Sequence, residues 1–144
     1  MATQVSSKTL GSGLKHEVWR ITTADLTVAA SAASVNCMKL PAKAVVVSAW
    51  YDLVTVFTSA TITALSCSVG VSADVDAYVT AGELLSGPPA AGRREIKGAW
   101  IDGDSRTVLA RFSASSDNLG TGSASKLTAG KVDVHVLYIV AKDA

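Results

Sequence analysis

The amino-acid sequence predicts an all-β fold, an antiparallel, jelly-roll-like β-sandwich of about seven or eight strands. Apolar and polar residues alternate in several segments, which is the two-residue period of a half-buried strand. Turn-forming residues separate these segments at intervals of about 8 to 12 residues, as in sandwiches and barrels. Only residues 81–85 favour a turn of helix. No internal repeat is visible, which argues against a propeller or a solenoid.

Length and composition fit a single domain that needs no disulfide or metal to hold its core. The chain has 144 residues, of which 49% are apolar and 17% charged, against a typical charged fraction of about 25%. The net charge is +1 with scattered basic residues, which argues against nucleic-acid binding. No apolar run approaches the roughly 20 residues that span a bilayer. The polar N-terminus lacks the hydrophobic region of a secretory signal, so we expect synthesis in a cytoplasm.

The first residues of the chain show no period of a strand or a helix, and they are rich in Ser, Thr, Gly and Lys. We therefore predict a flexible N-terminal arm over residues 1–15 and a single β-sandwich domain over residues 16–144. Two interpretations of the arm stay open. It is either a frayed terminus or a segment that becomes ordered on contact with a neighbouring subunit.

The first predicted strands are short. Residues 17–22 alternate as a strand, and shorter strands are predicted over residues 27–30 and 35–40. Pro41 ends the last of these, because proline has no N–H to donate to a neighbouring strand.

Residues 44–57 form the strongest predicted strand. One phase of this strand is apolar apart from Thr55, and we expect it to face the core: Val45, Val47, Ala49, Tyr51, Leu53 and Phe57. The other phase is mixed: Val46, Ser48, Trp50, Asp52, Val54 and Val56. A second long strand, residues 61–71, follows as the partner in a hairpin, with a bulge near Ala64.

The second half of the chain alternates between loops and strands. An irregular loop is predicted around Pro88 and Pro89, followed by a strand over residues 95–101 and a turn at Asp102-Gly103. Residues 107–114 form the next predicted strand, and residues 115–130 a second exposed loop. The last strand covers residues 131–140, with its valines on one face and Lys131, Asp133 and His135 on the other.

The residue types that support catalysis or metal binding are sparse, so the sequence predicts neither an enzyme nor a cofactor. The two histidines, His16 and His135, are distant in sequence and are expected on the surface. Cys37 and Cys67 are expected to be buried free thiols, with a disulfide between them as the alternative. Two cysteines and two distant histidines do not make a zinc site.

Pairs of aspartates lie at positions 74 and 76 and at 102 and 104, where turns are expected. We interpret them as turn residues rather than as a calcium site. Among the tryptophans, Trp19 and Trp100 fall on inward phases and are predicted in the core. Trp50 shares its phase with Ser48 and Asp52, so it is expected to face solvent, a ligand or a neighbouring subunit.

Three segments resemble structural proteins of tailed-bacteriophage virions, above all the capsid decoration, or cement, proteins: V-V-V-S-A-W-Y-D-L-V-T (45–55), V-G-V-S-A-D-V-D-A-Y-V-T-A-G-E-L (69–84) and L-T-A-G-K-V-D-V-H-V-L-Y (127–138). The resemblance implies a homotrimer that is bound to the outside of a capsid, contacts the major capsid protein and stabilises the shell. A head-fibre or tail-associated module is an alternative. A carbohydrate-binding sandwich that uses Trp50 is a second alternative, from another class.

The resemblance, together with more apolar strand surface than one core face requires, predicts two groups of contact residues. A contact with another copy or a partner is expected at Trp50, Val46, Val54, Leu137 and Ile139. These side chains belong instead to a second core layer if the outer faces of the sandwich are covered. The capsid contact is expected in the arm and the proline loop, at Lys8, Leu14, Pro88, Pro89 and Arg93.

Overall fold

The structure, a computed structural model, describes residues 2–10, 13–85 and 106–140 of the chain. Its eight strands are β1 (Thr3–Leu10), β2 (Leu14–Thr22), β3 (Ala32–Leu40), β4 (Ala44–Ser59), β5 (Ala64–Val71), β6 (Asp74–Glu83), β7 (Arg106–Ser115) and β8 (Leu127–Val140). In these ranges no helix is long and apolar enough to cross a membrane. The predicted loop around Pro88 and Pro89, the strand over residues 95–101, Trp100 and the turn at Asp102-Gly103 lie outside the described residues.

The strands form two four-stranded sheets, β1-β2-β8-β4 and β3-β7-β5-β6, and every neighbouring pair is antiparallel. From β2 to β5 the chain alternates between the two sheets, and it crosses back to the first sheet from β7 to β8. This connectivity is jelly-roll-like. The predicted all-β antiparallel sandwich is therefore confirmed.

The core lies between the two sheets and is apolar. Ile21 and Tyr51 of the first sheet and Leu65 and Phe112 of the second are all fully buried. Alternate residues of each strand supply this layer, as the two-residue period predicts.

Both thiols lie in this core on the second sheet, and both are free. Burial raises the pKa of Cys37 to about 12 and raises the pKa of Cys67 as well. The prediction of buried free thiols is confirmed, and the alternative of a Cys37–Cys67 disulfide is wrong.

A bulge changes which residues of β4 face the core. The register of β4 on β8 shifts between Val46 and Ser48, and the extra residue of a bulge reverses the alternation beyond it. Val46 is therefore 1% exposed and Val47 is 49% exposed. The predicted inward phase is right at Ala49 and Tyr51 but wrong at Val45, which lies opposite the exposed Ile139, and at Val47. The prediction that Val46 lies at a contact surface is also wrong, because this side chain is part of the core.

The N-terminal residues belong to the first sheet instead of forming an arm outside it. β1 pairs with β2 over nearly its whole length, with Lys8 opposite His16. The Ala2 N–H donates a 3.3 Å hydrogen bond to the Asn36 carbonyl of the second sheet. Because β1 is an edge strand with exposed side chains on both faces, its sequence has no period, although its backbone is paired.

A predicted strand and a predicted loop also differ from the structure. Residues 27–30 are not a strand, because a 3-10 turn over Thr23–Asp25 redirects the chain after β2. The Asp25 carboxylate holds this turn by accepting a 2.9 Å hydrogen bond from the Thr22 N–H. The predicted exposed loop over residues 115–130 buries Leu119 completely, and β8 begins inside it at Leu127.

Candidate functional site

The histidine, tryptophan and paired charged side chains described below lie on the outer face of the first sheet. Residues opposite one another in neighbouring antiparallel strands share a face, so the register defines this surface. In β1 and β2, Lys8 lies opposite His16 and Leu10 opposite Leu14. We define the outer face by the following residues: Lys8, Leu14, His16, Val18, Arg20, Val45, Ser48, Trp50, Asp52, Asp133, His135, Leu137 and Ile139.

A continuous hydrogen-bonded chain occupies the centre of this face. His135 Nε2 lies 2.9 Å from Asp52 Oδ2, so this nitrogen carries a hydrogen and donates to the carboxylate. His135 Nδ1 lies 3.0 Å from His16 Nε2 and, in the neutral ring, must accept. His16 Nε2 is therefore the donor of that bond. The network assigns the Nε2–H tautomer to both rings and leaves His16 Nδ1 with a lone pair.

Trp50 covers this chain from the neighbouring strand. Its ring stacks on His135 with centroids 4.7 Å apart and an interplanar angle of 10°, and it lies 5.5 Å from the His16 ring. One face of the indole is therefore occupied by the protein itself. A sugar-binding platform would therefore have only the opposite face of the Trp50 ring to use.

The environment favours neutral His16. Partial burial is the largest cause that lowers the pKa of His16 below its ordinary value of 6.5, followed by the nearby His135 and the positive charge of Lys8. Burial disfavours a charged imidazole because its hydration is lost, and a neighbouring cation adds repulsion. At pH 7 the ring is therefore predominantly uncharged.

Next to this chain lies an ion pair with two hydrogen bonds. Arg20 Nε and Nη2 donate to the two Asp133 carboxylate oxygens at 2.8 and 2.9 Å. Asp133 is 8% exposed, and the Asp133 hydrogen bonds are the largest cause that raises the pKa of Arg20. A carboxylate this buried requires such a partner. The pair therefore compensates its own charge within the face.

The opposite end of the face is apolar. Val45 lies opposite Ile139, and Ser48 opposite Leu137. Ile139 is 38% exposed, Leu137 and Leu14 are half-buried, and Val47 projects at the bulge. These side chains form a contiguous apolar strip because they come from neighbouring strands at the same level of the sheet.

The outer face of the second sheet has a different chemical character. Its strand centres carry small polar residues and one arginine, which the register places together: Ser34, Ser66, Ser68, Arg111 and Ser113. Arg111 Nη1 donates a 3.2 Å hydrogen bond to Ser34 Oγ. Ser68 is buried on this face, where its hydroxyl donates a 2.8 Å hydrogen bond to the Val75 carbonyl. Within the described ranges, the apolar and aromatic outer surface is thus concentrated on the first sheet.

The structure brings together residues that the sequence assigned to two different contacts. Trp50, Leu137 and Ile139, predicted at a contact with another copy or a partner, share the outer face with Lys8 and Leu14, which were predicted to meet the capsid. Val46 lies in the core, as described above. Val54 is 50% exposed elsewhere on β4. Pro88, Pro89 and Arg93 lie outside the described residues.

The sequence does not predict the central His16–His135–Asp52 chain, because the two histidines lie in separate segments far apart along the chain. Trp50, Asp52 and His135 do occupy polar phases of their strands, and His16 lies one residue before its predicted strand. The register that joins them depends on long-range pairing.

The arrangement lies on an open face and not in a cleft. Among the cavities between described residues, two have a volume of about 400 Å³, one bordered by Val71 and Arg106 and the other by Trp19 and Lys39. Neither cavity includes the histidine chain. No three side chains among the described residues are grouped as metal ligands. The geometry suits contact with a flat macromolecular surface better than enclosure of a small molecule.

Comparison with known proteins gives the fold a context. No protein-family model and no curated protein sequence matches the chain. A solved structure described as the capsid asymmetric unit of cyanophage Pam1 contains a chain that is 18% identical, with a TM-score of 0.64, over 96% of this chain and 94% of that chain. The acidic stable capsid structure of Helicobacter pylori bacteriophage KHP30 contains a second, 17% identical, with a TM-score of 0.60, over 99% of this chain and 95% of that chain.

A third similar chain comes from the capsid of Ralstonia phage GP4, with 19% identity, a TM-score of 0.48 and coverage of 94% of this chain and 90% of that chain. At these identities the comparison shows the fold alone. The chain shares its fold, over nearly its whole length, with chains of the Pam1 and KHP30 capsid structures.

Proposed function

We propose that this protein is a structural component of a bacteriophage virion, which binds the outer surface of the capsid as a homotrimer and stabilises the shell. Its partner is the major capsid protein, and its role is structural rather than catalytic. The observation that carries the proposal is the difference between the two outer faces, because an apolar and aromatic sheet face is suited to cover by another protein. The fold shared with chains of two phage capsid structures supports the same role.

The outer face has the composition of a protein-binding surface. Interfaces are enriched in aromatic residues and arginine, with a fully buried apolar centre and a polar rim. Trp50 and Leu137 supply the aromatic and apolar groups, while Arg20 is already paired with Asp133. A partner can therefore cover this pair without stripping water from an isolated charge, which would cost several kcal/mol.

The size of the face fits one contact of ordinary area. Four strands about 4.8 Å apart, each with about nine residues at about 3.4 Å, cover roughly 19 by 30 Å, or about 600 Å². Side-chain relief adds to this figure, and each partner in a standard interface contributes about 800 Å². One such contact per protein, repeated over a shell, gains further stabilisation because every copy ties neighbouring subunits together.

We assign this face to the capsid contact because Lys8 and Leu14, which were predicted to meet the capsid, lie on it. A face that meets its own copy makes a two-fold contact, whereas a ring of three joins two different patches on every protomer. A trimer that used this face would therefore need a second, different patch on every protomer. The trimer contacts in this proposal lie on other surfaces, and the outer face is left for the shell.

Co-sedimentation with phage heads that lack this protein tests the proposal, with a matched pair of variants. Ile139→Glu puts a charge on the apolar strip, and Val75→Glu puts the same charge on β6 of the second sheet at a similar exposure of 36% against 38%. We expect the wild type and Val75→Glu to sediment with heads and Ile139→Glu to stay in the supernatant.

Two results would contradict this proposal. If the wild-type protein never sediments with heads but co-purifies with tails or fibres, its place in the virion is different. If Ile139→Glu and Val75→Glu bind equally well, the outer face of the first sheet is not the contact.

A further inference from the structure

Two imidazole nitrogens face each other in the central chain of the outer face. His16 Nε2 and His135 Nδ1 lie 3.0 Å apart, whereas the ring centroids are 5.2 Å apart and the ring planes are inclined by 25°. The rings therefore meet at their edges, and in the neutral pair one hydrogen fills the space between the two nitrogens. Neutral imidazole is the commonest metal ligand in proteins. A metal ion that replaced this hydrogen would gain two such ligands at one place.

The surroundings of His135 resemble those of a metal-binding histidine. An imidazole that binds a metal ion almost always donates its other ring N–H to a carboxylate, a carbonyl or water, which fixes the tautomer and makes the ligating nitrogen more basic. His135 has this arrangement, because its Nε2 lies 2.9 Å from Asp52 Oδ2 and the neutral ring keeps its lone pair on Nδ1. Trp50 stacks on the ring at a centroid distance of 4.7 Å and limits its rotation. His135 Nδ1 is therefore already oriented as a ligand.

His16 becomes the second ligand after one change of tautomer. In the neutral chain its hydrogen is on Nε2, and metal binding moves this hydrogen to Nδ1 through solvent, so the neutral pair neither gains nor loses a proton. Two imidazole nitrogens on one tetrahedral zinc ion, each about 2.0–2.1 Å from the metal, lie about 3.3–3.4 Å apart. The 3.0 Å separation must therefore widen by about 0.3–0.4 Å. Most of this movement falls to His16, because Asp52 and Trp50 hold His135.

Two charged groups of the face act on a cation at this pair, with opposite signs. Asp52 of β4 attracts it through the His135 ring, and Lys8 of β1 repels it from beside His16. Asp133 is already neutralised by its own arginine partner. Removing Asp52 should therefore weaken the binding of a cation, and removing the charge of Lys8 should strengthen it.

The pair is also where the nitrogen and sulfur ligands of this chain are accessible. The sequence contains two histidines and two cysteines, and both thiols are buried in the core. Imidazole and thiolate are the ligands that Zn²⁺ and similar divalent transition metals prefer. An ion of this kind that binds the chain through such ligands therefore binds at the histidine pair.

We propose that His16 Nε2 and His135 Nδ1 together bind one Zn²⁺ ion, or a similar divalent transition-metal ion, with water in its remaining coordination positions. The inference is independent of the proposed function, because it concerns the isolated chain. Two protein ligands are half the number in a structural zinc site, and half of the binding free energy of such a site corresponds to a dissociation constant of roughly 1–200 µM near pH 7. Mg²⁺ and Ca²⁺, which prefer oxygen ligands, should not bind at the pair.

Calorimetric titration of the protein, without a histidine tag, with ZnCl₂ measures the affinity. We expect one ion per chain for the wild type. His16→Gln and His135→Gln each leave a single imidazole, so their dissociation constants should rise to about 1 mM or more. Asp52→Ala should weaken binding by about 10–100-fold, whereas Asp74→Ala, which removes the same charge from an exposed site on the second sheet, should leave it unchanged. Lys8→Gln should strengthen it.

An NMR experiment on the wild type identifies the ligand atoms and does not depend on how any variant folds. The sequence contains two histidines, so every imidazole signal belongs to His16 or His135. On addition of one equivalent of Zn²⁺, long-range ¹H–¹⁵N correlation should show displaced ¹⁵N signals for His16 Nε2 and His135 Nδ1. The other nitrogen of each ring should carry the hydrogen.

Three results would overturn the inference. The first is a wild-type dissociation constant above about 1 mM, which is the value expected for one imidazole. The second is a Zn²⁺-dependent shift in the signals of one ring alone. The third is a His16→Gln or His135→Gln protein that binds Zn²⁺ as tightly as the wild type, because such a result describes a single exposed ligand instead of a chelating pair. None of these results bears on binding to the capsid.

Discussion

Replacing Gly130 by alanine tests how tightly β8 is packed against the core. Gly130 has φ +149°, and a Cβ there would lie 2.1 Å from Cδ2 and 2.4 Å from Cγ of Phe57. Phe57 is fully buried, and its ring packs on Phe112 with centroids 6.3 Å apart. The ring therefore has no route to solvent, and either it or the β8 backbone must move.

The expected cost has two parts. Carbon atoms pack at about 3.5–4.0 Å, so the contact must open by about 1.5 Å, and overpacking of this kind costs about 1–3 kcal/mol. A non-glycine residue at a positive φ adds about 1–3 kcal/mol of backbone strain. Gly130→Ala should thus lower the free energy of unfolding by about 2–6 kcal/mol, out of a total of about 5–15 kcal/mol for a domain of this size.

Urea unfolding followed by tryptophan fluorescence measures this loss, with Gly122→Ala as the matched control. Gly122 also has a positive φ, of +96°, but a Cβ there would meet no atom within 4 Å. The control should lose the backbone part alone, so Gly130→Ala should be the less stable of the two by about 1–3 kcal/mol. A Phe57→Leu change should cost at least about 1 kcal/mol less in the Gly130→Ala protein than in the wild type, because it relieves the clash. Equal stabilities of the two alanine variants, or a coupling near zero, would refute the argument.

Three further predictions follow from the packing and the electrostatics. Val46→Ala should lower the free energy of unfolding by about 2 kcal/mol because Val46 is buried, and Val47→Ala should lower it by less than about 0.5 kcal/mol. If urea unfolding ranked the two variants the other way, it would contradict the bulge in β4. Cys37 and Cys67 should not react with a thiol reagent at pH 8 until guanidinium is added, because both thiols are buried and at a pKa of about 12 only about one Cys37 thiol in 10,000 is ionised. Lys126 donates a hydrogen bond from its ammonium group to the Asp117 carboxylate and lowers the pKa of that carboxyl to about 2, below the unfolded value of about 3.9. The contribution of Asp117 to stability is therefore complete above about pH 4 and disappears toward pH 2. The stability advantage of the wild type over Asp117→Asn at pH 6 should therefore be lost at pH 2, and an advantage that persists there would contradict the assignment.

The two-residue period identified the sandwich because it reports burial on one side of a strand. It succeeded at Ala49, Tyr51 and Phe57 and failed at Val45, Val46 and Val47, on the N-terminal side of the first register shift in β4. A bulge is decided by the fit between two strands far apart in sequence, and three consecutive valines suit either phase. The sequence of β4 alone therefore does not determine which of these valines faces the core.

β1 is a second place where the two-residue period does not identify a strand. An edge strand with exposed side chains on both faces has backbone hydrogen bonds but no alternation, so its sequence resembles that of a flexible arm. The hydrogen-bonded chain on the outer face is a third feature that the pattern of single segments does not predict. His16 and His135 are 119 positions apart, and only the pairing of β2 with β8 brings them together. Trp50, by contrast, was predicted at a contact from the mixed phase of its own strand. That prediction does not depend on knowing which strands pair.

The oligomeric state provides a test of how the face is used. The proposal places the trimer contacts on other surfaces, so a disruption confined to the outer face of the first sheet should not dissolve the ring. Light scattering coupled to size-exclusion chromatography should therefore give three times the 14.7 kDa chain mass for the wild type.

The same mass is expected for Ile139→Glu, although this variant no longer sediments with heads. A monomeric Ile139→Glu protein beside a trimeric wild type would mean that the apolar strip joins protomers. In that case Lys8 and Leu14, which share the face, would be buried between subunits. The capsid contact would then have to lie on another surface.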